Sequence, residues 1–300
     1  MWLVFAFSGP VLWAASTHID KYLVDRYFQN ADTAVLMVFT ALIGVAMLPF
    51  IAFFKPQALM LDWVSIGVMM ASGILFMGAM LFYLRAIQSN EASVVAPLFQ
   101  GSTIFTLVLG YLLLGETPTP MKLGGVALIV SGALLLTLGP SRHARMSTRL
   151  IALMLGCTFV VALASVSFKY FAVRDDFWST TFWMYVGEAL FGAGILALPR
   201  YRRQFAELLK TNTRALLAVN GANELINLGG GLGVRFASLL APVAVVSAIS
   251  STTTLFVFAF GVLFSWLAPA LGREDMSAAN LMRKGAAAAV VAAGVLLTAL

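Results

Sequence analysis

The chain has 300 residues, 61% of them hydrophobic and only 11% charged, with a mean hydropathy of +0.93. A soluble globular domain carries roughly 25% charged residues, so a water-soluble fold is excluded and lipid is the solvent. The net charge of +6 does not mark a nucleic-acid partner, because the basic residues lie mostly in loops between apolar blocks, where their distribution is a topological signal.

Ten apolar blocks follow one another, at residues 2–23, 34–54, 63–84, 92–114, 121–138, 150–171, 178–198, 213–236, 241–267 and 285–300. Each comes near the ~20 residues that a helix needs to cross ~30 Å of hydrocarbon, and each predicts a transmembrane helix. The first block contains Ala14-Ala15-Ser16, which looks like a signal-peptide cleavage site. Nothing basic precedes it and its pattern recurs at 150–171, so it is retained as a span. The linkers are short and marked by breakers and charge: Lys55-Pro56-Gln57, Glu116 to Pro120, Pro199 to Arg203, and Gly272-Arg273-Glu274-Asp275.

The blocks are written twice. Lys21, Tyr22 and Arg26 return as Lys169, Tyr170 and Arg174 at an offset of 148. Val94, Val95, Phe105 and Gly110 return as Val245, Val246, Phe256 and Gly261 at 151. Leu135-Leu136-Thr137 returns as Leu296-Leu297-Thr298 at 161. This predicts two units, 1–140 and 150–300, of five helices each. Because five is odd, the second enters the membrane upside down. The expected fold is all-α and integral to the membrane, ten transmembrane helices as two inverted five-helix repeats.

Loops after the odd-numbered helices carry 14 of the 19 lysines and arginines; Lys55, Lys122, Lys169, Arg174 and Arg235 make up the rest. The positive-inside rule makes the richer side cytoplasmic and puts both termini outside, in a multi-pass protein of the cytoplasmic membrane.

Polar groups cost free energy in hydrocarbon, so those inside the blocks are the candidate site. In the eighth block Asn220, Asn223, Glu224 and Asn227 fall at i, i+3, i+4 and i+7, one face of a helix, followed by Gly229, Gly230, Gly231 and Gly233. At the matching places of the first unit stand Met70, Gly73, Ile74 and Met77, so duplication of the fold does not itself demand a polar face. The face lines a substrate or ion pathway, or else it bonds one helix to another. In the ninth block Ser247, Ser250, Ser251 and Thr254 repeat the spacing, with self-bonding to the carbonyl one turn back as the alternative. Gln100 aligns with Ser251. Glu188, with Thr181 and Tyr185 on a similar face, and Glu224 are the two carboxylates expected near the midplane. Such a pair suits proton coupling, since a carboxyl group can load and release a proton as its access to water changes. The alternative is a neutral glutamic acid bonded between helices. Trp13, Trp183 and Tyr185 are placed to stack on a planar cargo. His18, Asp20 and Lys21 read first as an interfacial charged cluster, and Arg85 and Lys169, repeated as Arg235 and Lys21, as a duplicated structural device. Two histidines and the lone Cys157 offer no zinc site, and neither a Walker loop nor a Gly-x-Ser-x-Gly turn is present. No cofactor and no enzymatic activity are expected.

Several segments together resemble a known family: Leu12-Trp13-Ala14-Ala15, Tyr83-Leu84-Arg85-Ala86-Ile87, Ala92 to Leu98, Leu113-Leu114-Gly115-Glu116, and Gly124 to Gly132. They are similar to the EamA-domain branch of the drug/metabolite transporter superfamily. The match is looser in the second unit, where Leu263-Phe264-Ser265-Trp266 replaces the Leu-Gly-Glu ending and about ten extra residues precede the last block. The resemblance implies a central cavity, peripheral fifth and tenth helices, and export or exchange of small metabolites, amino acids or toxic compounds by alternating access. It leaves monomer and homodimer both open, and many relatives are expected to keep both termini in the cytoplasm, against the charge count. A lipid flippase on the same scaffold is the alternative.

Overall fold

The computed structural model describes residues 1–27, 32–89, 98–137, 148–267 and 278–300. Hydrocarbon offers peptide groups no water to bond, so a chain this apolar satisfies its backbone within helices. Helices α1 (Trp2–Tyr27), α2 (Thr33–Phe54) and α3 (Trp63–Ser89) are followed by α4 (Gly101–Leu114) and α5 (Pro120–Thr137). The second half contains α6 (Thr148–Arg174), α7 (Phe177–Ala197), α8 (Pro199–Leu240), α9 (Val243–Ser250), α10 (Thr253–Leu267) and α11 (Ala278–Ala299). A short 3₁₀ turn, Pro56–Met60, joins α2 to α3. Asp32 caps α2 by accepting from the Ala34 amide (3.0 Å), and Asp176 caps α7 by accepting from Trp178 and Ser179 (2.9 and 3.0 Å).

Among the described residues six stretches are long and apolar enough to span a bilayer: those beginning at Trp2, Thr33, Trp63, Thr148, Val243 and Leu281. A seventh arises if α7 and the start of α8 are taken together across their 97° bend. The other expected spans fall short for identifiable reasons. Helices α4 and α5 contribute only shorter apolar stretches, to Leu114 and Leu135, and residues 92–97 of the fourth block lie outside the described residues. Helix α8 is diluted by its own polar face.

Three boundaries differ from expectation. Residues 199–212 are helix, not linker: Leu198 is extended (φ −80°, ψ 119°), as a residue before proline prefers, and Pro199 restarts the helix around the corner. Beyond that corner Tyr201, Phe205, Leu208 and Leu209 pack against α2 while Arg200, Arg202, Arg203 and Lys210 are exposed. The ninth block is broken into α9 and α10 at Ser251-Thr252, and the last helix begins at Ala278 instead of residue 285.

Helices at matching places in the two halves pack on one another, and each such pair runs antiparallel. Ala34 and Met37 on α2 share a core with Ile195 on α7, and Ala41 faces Gly192. Gly125 on α5 lies against Thr298 on α11, and Gly132 against Val291. Thr103 on α4 and Ser247 on α9 are bonded through their hydroxyls (3.1 Å), and Gly110 faces Val243. The exchanged seams correspond as well. α1 runs antiparallel to α8, with Phe5 against Phe236 (4.8 Å between ring centroids) and Asp20 bonded to Asn223. α3 runs antiparallel to α6, with the Cys157 thiol donating to the Ala79 carbonyl (3.1 Å) and Ser65 donating to Asp175 (2.9 Å).

The Leu113-Leu114-Gly115-Glu116 segment has a structural task. Gly115 closes α4 at φ +65°, a conformation that costs glycine nothing, and the Glu116 amide donates back to the Gly110 carbonyl (3.1 Å). The Glu116 side chain then accepts from the Val243 amide at the start of α9 (2.8 Å) and pairs with Lys169 (2.5 Å). Lys169 also donates to the Ala241 carbonyl (2.7 Å).

Candidate functional site

The polar face of α8 is turned inward. Asn220, Asn223 and Glu224 are 3%, 0% and 7% exposed, although helix–lipid contact would favour apolar residues at this depth. What they meet comes from the two helices packed alongside. The Asn223 amide donates to Asp20 on α1 (2.6 Å), and Asp20 also accepts from Ser16 (3.4 Å). Glu224 accepts from Thr40 on α2 (3.1 Å), and Asn227 lies one turn further along the same face. The oxygen of the Asn223 amide is buried without a hydrogen-bond partner among the described residues. Asp20 is exposed, so the cluster is sealed at Asn223 and opens at Asp20. Two carboxyl groups on neighbouring helices, one bonded by Thr40 and the other by the Asn223 amide, can exchange a proton or hold a group that donates hydrogen bonds.

The interfacial reading of His18 and Asp20 gives way to this arrangement. Asp20 joins the α8 face, and His18 is buried with Nε2 3.1 Å from the Val257 carbonyl of α10 and its ring edge-on to Phe264. The Lys21 side chain lies outside the described residues.

Glu188 is in a different situation. It accepts from Arg235 (3.1 Å), and that guanidinium stacks over the rings of Phe168 and Tyr185, 5.3 and 5.2 Å from their centroids. The charge of Glu188 is therefore matched inside the protein. Arg85 and Arg235, expected from the sequence to be one duplicated device, serve differently: Arg85 pairs with Asp32 at the end of α2 (3.3 Å) and bonds Tyr201 (3.2 Å), whereas Arg235 reaches into α7.

The remaining expected residues divide between a helix break and packing. Gln100, 8% exposed, stands at the turn that starts α4, and Ser251 stands at the turn that breaks α9 from α10. Broken helices of this kind supply ligand groups in other transporters. Ser250, Ser251 and Thr254 each donate to a carbonyl of their own helix region, those of Val246, Ser247 and Ser251 (3.1, 3.4 and 3.1 Å). Trp13 fills the α1–α8 seam against Gly230 and donates to the Asn227 carbonyl (3.4 Å). Trp183 donates to the Ala58 carbonyl (2.8 Å), anchoring α7 to the 3₁₀ turn. Both indoles thus have structural partners.

Sequence reasoning missed Thr40, Ser16 and the Arg235–Glu188 pair. Thr40 had a signal, being the only hydroxyl or amide side chain between Ala34 and Phe54. Arg235 was placed at a span end, whereas α8 continues beyond it to Leu240.

Residues 1–138 match the EamA-like transporter family, so the first half of the chain belongs to that family within the drug/metabolite transporter superfamily. No curated protein matches the chain. Twenty-three chains of known structure do. One of them, a crystal structure of a protein, superposes with a TM-score of 0.73 at 15% identity, covering 99% of this chain and 96% of that one. At that identity the likeness carries the fold alone. The chain is a multi-pass integral membrane protein and a transporter of the drug/metabolite type.

Proposed function

We propose that this transporter is a secondary carrier that exports or exchanges a small metabolite, an amino acid or a toxic compound by alternating access, coupled to protons through Glu224. Two inverted five-helix repeats, 1–140 and 150–300, form the moving parts. Support for the inversion comes from the equivalent pairs α2 with α7, α4 with α9 and α5 with α11, each antiparallel across the two halves. A two-fold axis along the membrane normal would make such pairs parallel; an axis in the membrane plane makes them antiparallel.

The observation that carries the coupling is the buried Glu224 held by Thr40 and adjoining Asn223, which bonds Asp20. No cationic side chain pairs with Glu224 among the described residues, in contrast to Glu188. Its proton can therefore leave or return only as the seam between α8 and α1–α2 admits water. In this proposal Asn220, Asn223 and Asn227 offer amides to the cargo, with Gln100, Ser250, Ser251 and Thr254 at the helix breaks. Tyr185 supports the Glu188–Arg235 pair at the other side of α8, and Trp13 sets the seam on which the halves rock.

The test is uptake by proteoliposomes holding the purified protein, using a panel of amino acids, nucleosides and organic cations with and without an imposed pH gradient. At least one class should accumulate against its own gradient only when ΔpH is present. Facilitated equilibration that ignores ΔpH for every class would end the coupling proposal.

A further inference from the structure

A lateral groove of about 440 Å³ runs down the outside of the molecule between α3 and α7. Its walls are apolar, with Ile74 and Leu81 on one side and Leu190 and Gly194 on the other, and it ends at the α7–α8 corner under Arg85 and Tyr201. Ile74, Leu190 and Leu198 are 38%, 48% and 52% exposed. In a membrane-spanning protein an exposed apolar groove is filled by the bilayer; the polar end decides by what. From Ile74 to Arg85 is eleven residues along α3, about 16 Å at 1.5 Å per residue, close to half of the ~30 Å hydrocarbon thickness. The groove therefore has the depth of one leaflet, with its arginine at headgroup level.

That end is positive. Arg85 and Arg200 share one carboxylate, Asp32, at 3.3 and 3.6 Å, and their side chains remain 40% and 72% exposed. Arg200 lies over the Tyr201 ring (5.7 Å), and Arg202 and Arg203 are exposed beside it on the same amphipathic turns. Two guanidiniums against one acid leave an unmatched cation where a lipid phosphate sits.

We infer that this groove is a binding site for one anionic phospholipid of the adjoining leaflet, with an acyl chain along Ile74, Leu81, Leu190 and Gly194 and the headgroup on Arg85, Arg200 and the Tyr201 hydroxyl. The lipid is a resident partner and not the cargo, because none of the residues that line the groove belongs to the acidic cluster of Asp20, Thr40, Asn223 and Glu224. It bridges α3 of the first half to the α7–α8 corner of the second.

Native mass spectrometry of the delipidated protein, titrated with phosphatidylglycerol and with phosphatidylcholine of the same chains, tests this. The parent should retain one phosphatidylglycerol in preference to phosphatidylcholine. Arg200→Gln should lower that preference about fivefold, the effect of one basic residue near an anionic surface. Gly194→Leu should displace both lipids: a Cβ at Gly194 meets nothing within 4 Å, so the new side chain fills the groove without disturbing the helix. Equal retention of the two lipids by the parent would overturn the inference, as would undiminished phosphatidylglycerol on Gly194→Leu. A dimer signal that Gly194→Leu abolishes would make a second copy of the chain the occupant. Movement of labelled phosphatidylglycerol between leaflets by the parent would make the lipid a cargo.

Discussion

Two buried glutamates have opposite surroundings, and that difference is the basis of the roles proposed for them. Glu188 faces the Arg235 guanidinium, itself sandwiched near two aromatic rings, so the pair is electrically closed. Removing one member of a buried pair strands the other and costs about 3–5 kcal/mol, whereas replacing both costs far less. Arg235→Gln is therefore expected to lower thermal stability in detergent sharply. The double variant Glu188→Gln, Arg235→Gln should recover most of the loss, a result that a role for Arg235 in transport alone would not produce. Among the described residues Glu224 accepts from a neutral donor, Thr40, and forms no ion pair. The glutamine substitution there keeps the shape and is expected to leave the melting temperature within a few degrees of the parent.

At the scale of helices, the two halves use matching seams unequally. Where α3 crosses α7, Gly73 and Gly187 let the backbones touch: a Cβ on Gly73 would overlap the Met184 carbonyl, and one on Gly187 the Met70 carbonyl. At the matching seam, α8 against α2, Asn223 and Glu224 stand in place of Gly73 and Ile74, and the contact is a hydrogen bond to Thr40. One seam is welded by small residues; the other is held by polar bonds that water can replace. Gly187→Ala is expected to destabilise the fold by about 1–3 kcal/mol, read as a lower melting temperature. Gly194→Ala, on the open face of the same helix, should have no such effect. Six of the spans were legible in the sequence because apolar blocks near 20 residues are a local pattern. The polar face of α8 was legible for the same reason. Its partners were not: Asp20 lies 203 positions from Asn223 and Thr40 184 from Glu224, separations across which no periodicity speaks. The helical nature of 199–212 was hidden by Pro199 and four nearby charges, which read as a linker until the α7–α8 corner turned them into an interfacial helix.

For the whole molecule, pairing inside the membrane sharpens the charge asymmetry. Lys169 and Arg235 are bound by Glu116 and Glu188, leaving Lys55, Lys122 and Arg174 as the basic residues of the sparse side. A reporter fused after Leu300 is accordingly expected outside the cytoplasm; a C-terminal fluorescent protein that matures in the cytoplasm would reverse this orientation. The acidic cluster joins α1 and α2 of one half to α8 of the other, so any rocking of the halves must make and break it. The central claim is that Glu224 carries the proton of the cycle. Its most direct test is a comparison of Glu224→Gln with the parent in proteoliposomes, measuring gradient-driven uptake and substrate counterflow of the same cargo across a pH series. The account predicts that Glu224→Gln keeps counterflow, with no dependence on pH, and loses accumulation driven by ΔpH. Accumulation by Glu224→Gln equal to the parent's at every pH would contradict it.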